Sequence, residues 1–135
     1  MANFLFNLYK EETLKGNVDL STAVIKAALI DENYWTPAAT DDYLADISAS
    51  AIRATSGAFT NKSEVDGIFD ADDITFTLVP AGDPIQGILL YVYTGSDATS
   101  LLVGYIDTAT GLPITPNGGN LLVSWATTGY KIFGI

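Results

Sequence analysis

The most informative stretch of the sequence is IQGILLYVY, residues 85–93. Apart from Gln86, no polar side chain interrupts either of the two faces that this stretch would present as a strand. A strand that is apolar on both faces is typical of the middle of a sheet covered on both sides, whereas a strand that faces water alternates apolar and polar residues. Residues 85–93 are therefore predicted to form a central strand.

Short β segments extend in both directions from this strand. The nearest one, at 100–106, is also almost continuously apolar and follows a turn. The other segments lie between Gly, Pro, Asn and Asp clusters at 22–30, 52–59, 64–69, 74–79, 121–126 and 130–135. About eight short strands at this spacing predict a mostly β, antiparallel sandwich or small barrel. The long loop between the last strands is expected to make a short bridge at 112–114.

One convincing helical pattern lies near the start of the sequence, over residues 4–15 and before Gly16. Its apolar stripe consists of Phe4, Leu5, Leu8 and Tyr9. This helix is interpreted either as closing one end of the β core or as an arm that docks on a neighbouring subunit. A shorter helical turn, capped by Thr40 or Asp41, is also predicted. Its inward residues would be Tyr43, Leu44 and Ile47.

The length of 135 residues suits one domain with a real core. The expected division is a helix or arm at 1–16 and a β-sandwich body at 17–135. Apolar residues make up 48% of the chain and charged residues 16%, which argues against disorder. That balance also leaves more apolar surface than a lone domain easily hides, so association with other proteins is expected.

The formal charge of −10 comes from 16 acidic and 6 basic residues. Binding to nucleic acid requires clusters of Lys and Arg, and the basic residues here are scattered singly, so neither nucleic acid nor an anionic membrane is an expected partner. The longest apolar runs, such as 88–93, are far too short to span a bilayer. With no basic segment before the first apolar residues, the chain is expected to be a soluble protein made in the cytoplasm.

The sequence contains no Cys and no His. Disulfides, thiol nucleophiles, Ser–His triads and His-ligated metals are thereby excluded. Sixteen carboxylates offer many pairs for glycoside hydrolysis, and the sequence favours none of them. Gly118 and Gly119 precede a strand and not a helix, so they predict a turn and no phosphate loop. We therefore expect no catalytic residues, no cofactor and no enzymatic activity.

The one dense cluster of charge consists of Asp66, Asp70, Asp72 and Asp73. Closely spaced carboxylates can bind Ca²⁺, but the order here lacks the glycine and the bidentate glutamate of an EF-hand loop. Alternation along an extended chain would also send neighbouring carboxylates to opposite faces. The favoured interpretation is a solvated turn between two strands, with no metal site.

Aromatic side chains are the better candidates for recognition. Trp125 alternates with Leu121 and Val123, so it is expected in the core. Trp35 lies two residues before Pro37, in a predicted turn, and is expected to be exposed. The residues proposed to contact a partner are Phe4, Leu8, Tyr34 and Trp35.

Several stretches together resemble small structural proteins of tailed bacteriophages. They are RATSG at 53–57, DGIFDADDITF at 66–76, YIDTATGLPITPNGG at 105–119, and the ending with Trp125 followed by KIF at 131–133. The N-terminal helix and the segment 24–31 fit as well, so the resemblance covers essentially the whole chain. The best understood proteins of this size and composition are capsid cement or decoration proteins with jelly-roll-like folds.

The resemblance implies a cement protein on the outer surface of the virion capsid. Its partner would be the major capsid protein, and it would act as a dimer or trimer that resists the internal pressure of DNA. An acidic surface suits the outside of the shell. Two alternatives remain open: a carbohydrate-binding or host-attachment module using Tyr34 and Trp35 as a stacking platform, and a head–tail or tail component.

Overall fold

The computed structural model describes residues 3–135 and is mostly β, with one short α-helix. Nine strands are formed, most of them short. In chain order the elements are β1 (Phe4–Leu5), α1 (Asn7–Leu14), β2 (Ile25–Ile30), β3 (Ile52–Thr55), β4 (Ile68–Phe69), β5 (Ile74–Phe76), β6 (Gly87–Val92), β7 (Leu102–Ile106), β8 (Leu121–Val123) and β9 (Phe133–Gly134). Single 3₁₀ turns lie at Leu44–Asp46, Ala49–Ala51 and Val65–Gly67.

Five strands form the main sheet, in the order β1-β7-β6-β2-β3, and every neighbouring pair is antiparallel. Strand β6 lies in the middle, and its residues from Gly87 to Tyr91 are all buried. The predicted central strand is therefore confirmed. Its continuous apolar character follows from its position, because both of its faces lack access to water.

The two faces of this sheet are covered by different parts of the chain. On one face, the register aligns Leu29 with Ile88 and Ile88 with Ile106. This row of side chains faces residues between Thr108 and Ile132. On the other face, Tyr105 packs edge-on against Trp35, with ring centres 5.4 Å apart. The chain that connects β2 to β3 covers this second face, and Leu44 in its first 3₁₀ turn is buried there.

Two segments of the chain, residues 67–79 and residues 119–135, together form a long, interrupted ribbon. Two small sheets, β4–β9 and β5–β8, lie one after the other along these antiparallel segments. Backbone hydrogen bonds extend the pairing at both ends, from Ile135 N–H to the Gly67 carbonyl (2.9 Å) and from Val79 N–H to the Gly119 carbonyl (3.0 Å). Between the two sheets, Trp125 N–H donates to the Asp73 carboxylate at 2.9 Å.

The inner face of the ribbon carries aromatic rings that pack on Phe59, which follows β3, and on α1. The ring of Phe59 stacks on Phe69 at 6.4 Å and meets the Trp125 indole at 5.7 Å. Phe133 contacts Phe69 at 5.3 Å and Tyr9 of α1 at 6.1 Å. Trp125 is 9% exposed, so its predicted place in the core is confirmed.

The predicted helix over residues 4–15 is wrong at its start, because Phe4 and Leu5 form an edge strand that pairs with Tyr105 and Gly104. The helix begins only at Asn7. The apolar spacing also fits a strand that is followed by a helix, and pairing with β7 satisfies the backbone while it places Phe4 beside Tyr105. Residues from Phe4 to Tyr9 thus pack on the chain's own core, with the ring of Tyr9 only 2% exposed.

Several strands are shorter than expected because left-handed residues end their pairing. Leu78 has φ of 49° just after β5, Asp66 has 58° just before β4, and Lys131 has 53° before β9. The predicted helical turn exists as the 3₁₀ turn Leu44–Asp46, but Thr40 and Asp41 do not cap it. Instead the Asp46 carboxylate accepts the backbone N–H groups of residues 42 and 43 at 2.9 and 3.0 Å.

The accessible surface of the chain is 6906 Å². A compact monomer of 14.3 kDa is expected to expose about 6,800 Å². The chain therefore reaches ordinary compactness without a partner.

The expected bridge in the long loop also forms, between Ile85 and Ile114. Among residues 3–135, no helix is long and apolar enough to cross a bilayer.

Candidate interaction surface

Large apolar side chains that remain exposed are concentrated on one part of the molecule. Five of them, between 66% and 74% exposed, lie on the ribbon or in the 3₁₀ turn that leads into it: Val65, Leu78, Leu122, Tyr130 and Ile135. The others in residues 3–135 are Leu14 at the end of α1, Tyr34 between β2 and β3, and the neighbouring pair Val24 and Tyr93, which share a backbone hydrogen bond of 2.7 Å. Scattered apolar side chains are normal on a protein surface, but a group on one element marks a candidate contact region.

Strand pairing explains why this part of the ribbon is apolar on the outside. In the β5–β8 pair, Ile74 opposes Val123 and Phe76 opposes Leu121, and these pairs face the core. Leu122 opposes an exposed threonine and therefore faces outward, because neighbouring residues of a strand point to opposite faces. The alternating pattern of residues 121–125 already predicts that Leu122 faces outward, since it places Leu122 on the face opposite Trp125.

At the other end of the ribbon, three exposed side chains belong to segments that contact one another, and we call them the Tyr130 patch: Val65, Tyr130 and Ile135. The Tyr130 ring covers Gly134 so closely that a Cβ atom there would overlap it. Gly134 opposes Ile68, whereas the neighbouring pair Phe133–Phe69 faces the core, so the Tyr130 ring lies on the outer face.

The turn that carries Val65 is joined directly to the end of the ribbon. A Cβ atom on Gly67 would lie 2.8 Å from the Ile135 carbonyl oxygen, and Gly67 has φ of 74°, so glycine is required at this close approach. Ile135 N–H also donates to the Gly67 carbonyl. No local sequence pattern reveals the Tyr130 patch, because the patch forms only when residue 135 pairs with residue 67.

The charges beside the patch are predominantly negative. Glu64 and Asp66 flank Val65, both are exposed, and neither forms an ion pair within residues 3–135. The nearby Lys131 lies 3.5 Å from the Asp70 carboxylate. The ammonium group of Lys62 is held by backbone carbonyls, with the Leu20 oxygen at 2.7 Å. The outer face at this end therefore combines exposed apolar side chains with two unpaired carboxylates.

The acidic cluster itself serves the local structure. One oxygen of Asp72 accepts hydrogen bonds from the Thr60 hydroxyl at 2.8 Å and the Asn61 amide at 2.6 Å. Asp73 accepts the Trp125 N–H, and Asp70 pairs with Lys131. Across the described part of the chain, no group of three acidic side chains is positioned to hold a metal ion.

The expectation that Trp35 is exposed is wrong. Its ring is 9% exposed, it stacks on Phe6 at 6.4 Å, and its indole N–H donates to the Asp41 carboxylate at 2.9 Å. The turn near Pro37 folds back over the main sheet, which a local pattern does not reveal. Tyr34 is 51% exposed, so the predicted two-ring platform for sugars is not formed.

The other two predicted contact residues, Phe4 and Leu8, are half-buried against the core. Phe4 contacts Phe6 edge-on, with ring centres 5.0 Å apart, and also contacts Tyr105 at 5.8 Å. Phe4 and Trp35 both contact Phe6 and Tyr105, so the structure brings these two predicted residues into one largely buried aromatic cluster and not onto an exposed surface.

A groove of about 620 Å³ separates the main sheet from the ribbon. Its lining is mostly aliphatic and includes Ile88, Ile106, Leu121 and Ile132. No carboxylate lines the groove, so it lacks the pair of acids that general acid–base hydrolysis requires. A neighbouring cavity of about 290 Å³ shares Ile106 and Ile132 and likewise has no acidic residue in its lining.

Comparison with known proteins identifies no relative: no family model matches the chain, and no curated protein matches it significantly.

Proposed function

We propose that this protein is a structural component of a phage virion, which binds the major capsid protein as a cement protein on the outside of the shell. The observation that carries the proposal is the group of exposed apolar side chains on the ribbon. The resemblance of residues 66–76 and 105–119 to phage structural proteins supports the class of particle. We further propose that the strands have the jelly-roll-like arrangement that this resemblance implies.

The strength of such a contact can be bounded. Full burial of a large aliphatic side chain contributes roughly 1.5–3 kcal/mol, so five side chains about 70% exposed offer roughly 5–10 kcal/mol before costs. Association itself costs on the order of 4–15 kcal/mol. One ribbon alone therefore binds weakly, and a dimer or trimer that engages several capsid subunits at once holds much more tightly.

The charge supports an external position. A chain of net charge −10 is repelled by the phosphates of packaged DNA, so the inner surface of the shell is unfavourable for it. A shell seam, in contrast, requires a rigid body and an apolar contact face. The buried main sheet and the exposed apolar side chains of the ribbon support this proposal.

The decisive experiment is a reconstruction of the virion by electron microscopy, together with deletion of the gene. We expect this protein on the outer surface in a copy number comparable to that of the capsid protein. We also expect particles without it to lose their DNA at lower temperature or on osmotic shock. A ring of low copy number at the head–tail junction would favour the tail alternative. Deletion particles as robust as wild type would contradict a cement role.

A further inference from the structure

We propose that the Tyr130 patch docks on an apolar surface of the partner protein that is flanked by Lys or Arg side chains. In this arrangement Glu64 and Asp66 face those basic side chains. The inference rests on the proposed function, and it specifies which part of the ribbon makes the contact and what chemistry the partner presents there.

The Tyr130 patch is formed by the fold of the chain itself. Val65, Tyr130 and Ile135 are 69%, 74% and 70% exposed, and a backbone hydrogen bond joins residue 135 to the turn that carries Val65. The Tyr130 ring rests on Gly134, and the Gly67 carbonyl accepts the Ile135 N–H. A pre-formed patch loses little conformational entropy on binding, and an exposed tyrosine is a residue type that often anchors interfaces.

The charges beside the Tyr130 patch favour a basic partner surface. The carboxylates of Glu64 and Asp66 make no ion pair in the described part of the chain, whereas Lys131 already has Asp70 as its partner. Unpaired carboxylates beside an apolar patch accelerate encounter with a basic surface and disfavour an acidic one. At the other end of the ribbon, no acidic residue is adjacent in sequence to Leu78 or Leu122.

The same charges argue against a second copy of this chain as the occupant. A symmetric dimer through this patch would bring the two Glu64–Asp66 pairs close together, since each subunit contributes the same surface. Anionic membranes and nucleic acids are repelled for the same reason. A partner protein with basic side chains around an apolar surface is the occupant that the observed charges favour.

The test uses shells of the major capsid protein encoded in the same genome, prepared without this protein. Binding of the full chain is measured by co-sedimentation at low and at moderate salt. We expect wild-type affinity to fall several-fold as salt rises, because attraction between exposed charges is screened. The double variant Glu64→Gln/Asp66→Asn should bind more weakly at low salt and lose most of the salt dependence.

Two further variants complete the design. Val65→Ser/Ile135→Ser should weaken binding at least about tenfold, because it removes two apolar contacts. Leu14→Ser changes a side chain that is 89% exposed at the end of α1, away from the patch, and should leave binding within about twofold of wild type. Thermal unfolding of each variant shows that the fold is unchanged. The charge variant remains informative if the apolar double variant does not fold.

The outcomes separate the two proposals. Wild-type protein that binds shells while the patch variants bind equally well overturns the docking site and leaves the proposed function standing. Wild-type protein that does not bind shells overturns the proposed function and, with it, this partner. Self-association that depends on the patch and strengthens with salt in sedimentation equilibrium would show that a second copy is the occupant, which also overturns the inference.

Discussion

The phenol ring of Tyr105 on β7 lies over Gly87 of β6, so closely that a Cβ atom on residue 87 would overlap the ring. The Tyr105 hydroxyl donates a hydrogen bond of 2.5 Å to the Glu32 carboxylate. The N–H of Glu32 in turn donates to the Gln86 side chain, also at 2.5 Å. Glycine in the middle of a sheet often marks a close approach of this kind, and here it allows a tyrosine to lie flat in the core.

Substitution Gly87→Ala should therefore be strongly destabilising. The ring cannot move aside because Tyr105 is fully buried, so we expect a loss of about 3 kcal/mol in the free energy of unfolding, measured with urea. Gly57→Ala is the matched control, because a Cβ there meets nothing within 4 Å, and it should change stability by less than about 0.5 kcal/mol. Equal effects of the two variants would contradict the close approach.

Stability should fall in alkaline solution. Burial raises the pKa of Tyr91 to about 12, and burial together with the hydrogen bond to Glu32 raises the pKa of Tyr105 as well. The unfolded tyrosines ionise near pH 10, so their contribution is complete below that pH and is lost as the pH rises above it. We expect the free energy of unfolding to drop above pH 10, by at most about 1.4 kcal/mol per pH unit for each tyrosine.

The variant Tyr91→Phe isolates one of these contributions. Removal of the hydroxyl should make the decline between pH 10 and pH 12 shallower than in wild type, measured by urea unfolding at each pH. The same decline in both proteins would show that Tyr91 ionises alike in the folded and unfolded states.

The ammonium group of Lys62 should stabilise the loop before β2. It donates to the carbonyls of Leu20 and Ala23, 42 and 39 residues away in sequence. Lys62→Met leaves two carbonyls without this donor, so we expect a loss of about 1–3 kcal/mol and faster hydrogen exchange at residues 22–24. Lys10→Met, at an exposed position on α1, should have little effect on either measurement.

The segment from Phe4 to Tyr9 should contribute to the core. Phe6 is fully buried against Phe4 and Trp35, so Phe6→Ala should cost about 3–5 kcal/mol in thermal or urea unfolding. Leu14→Ala on the exposed end of α1 should be nearly neutral. If Phe6→Ala were also neutral, the segment would be an arm independent of the domain.

Leu122 should matter for binding and not for folding. It is 66% exposed on the outer face of β8, so Leu122→Asp should leave the unfolding temperature within a few degrees of wild type. Under the proposed function, the same change should reduce retention of the protein on washed particles, measured by gel densitometry. Retention equal to wild type would remove this end of the ribbon from the contact.

The central strand and the place of Trp125 could be predicted because both depend on local alternation. Residues 85–93 are apolar on both faces, and that pattern suits only a strand covered on both sides. Trp125 shares its alternation with Leu121 and Val123, whose face is directed to the core. The spacing of apolar residues along a single strand thus predicts which face of the strand is buried.

Other features depended on partners distant in sequence. Phe4 and Leu5 fit a helical stripe as well as a strand, and their pairing with Tyr105 and Gly104, about 100 residues later, selected the strand. Trp35 became buried because its turn folds over the main sheet.

The residues of the chain alone established a mostly β domain and its central strand. They also established the lack of thiol and imidazole chemistry, since that depends only on which side chains are present. The position of the exposed apolar surface required the folded chain. The Tyr130 patch forms because residue 135 pairs with residue 67, and no local pattern encodes a contact between segments 68 residues apart. Composition determines which interactions are available, and long-range pairing determines which of them remain at the surface.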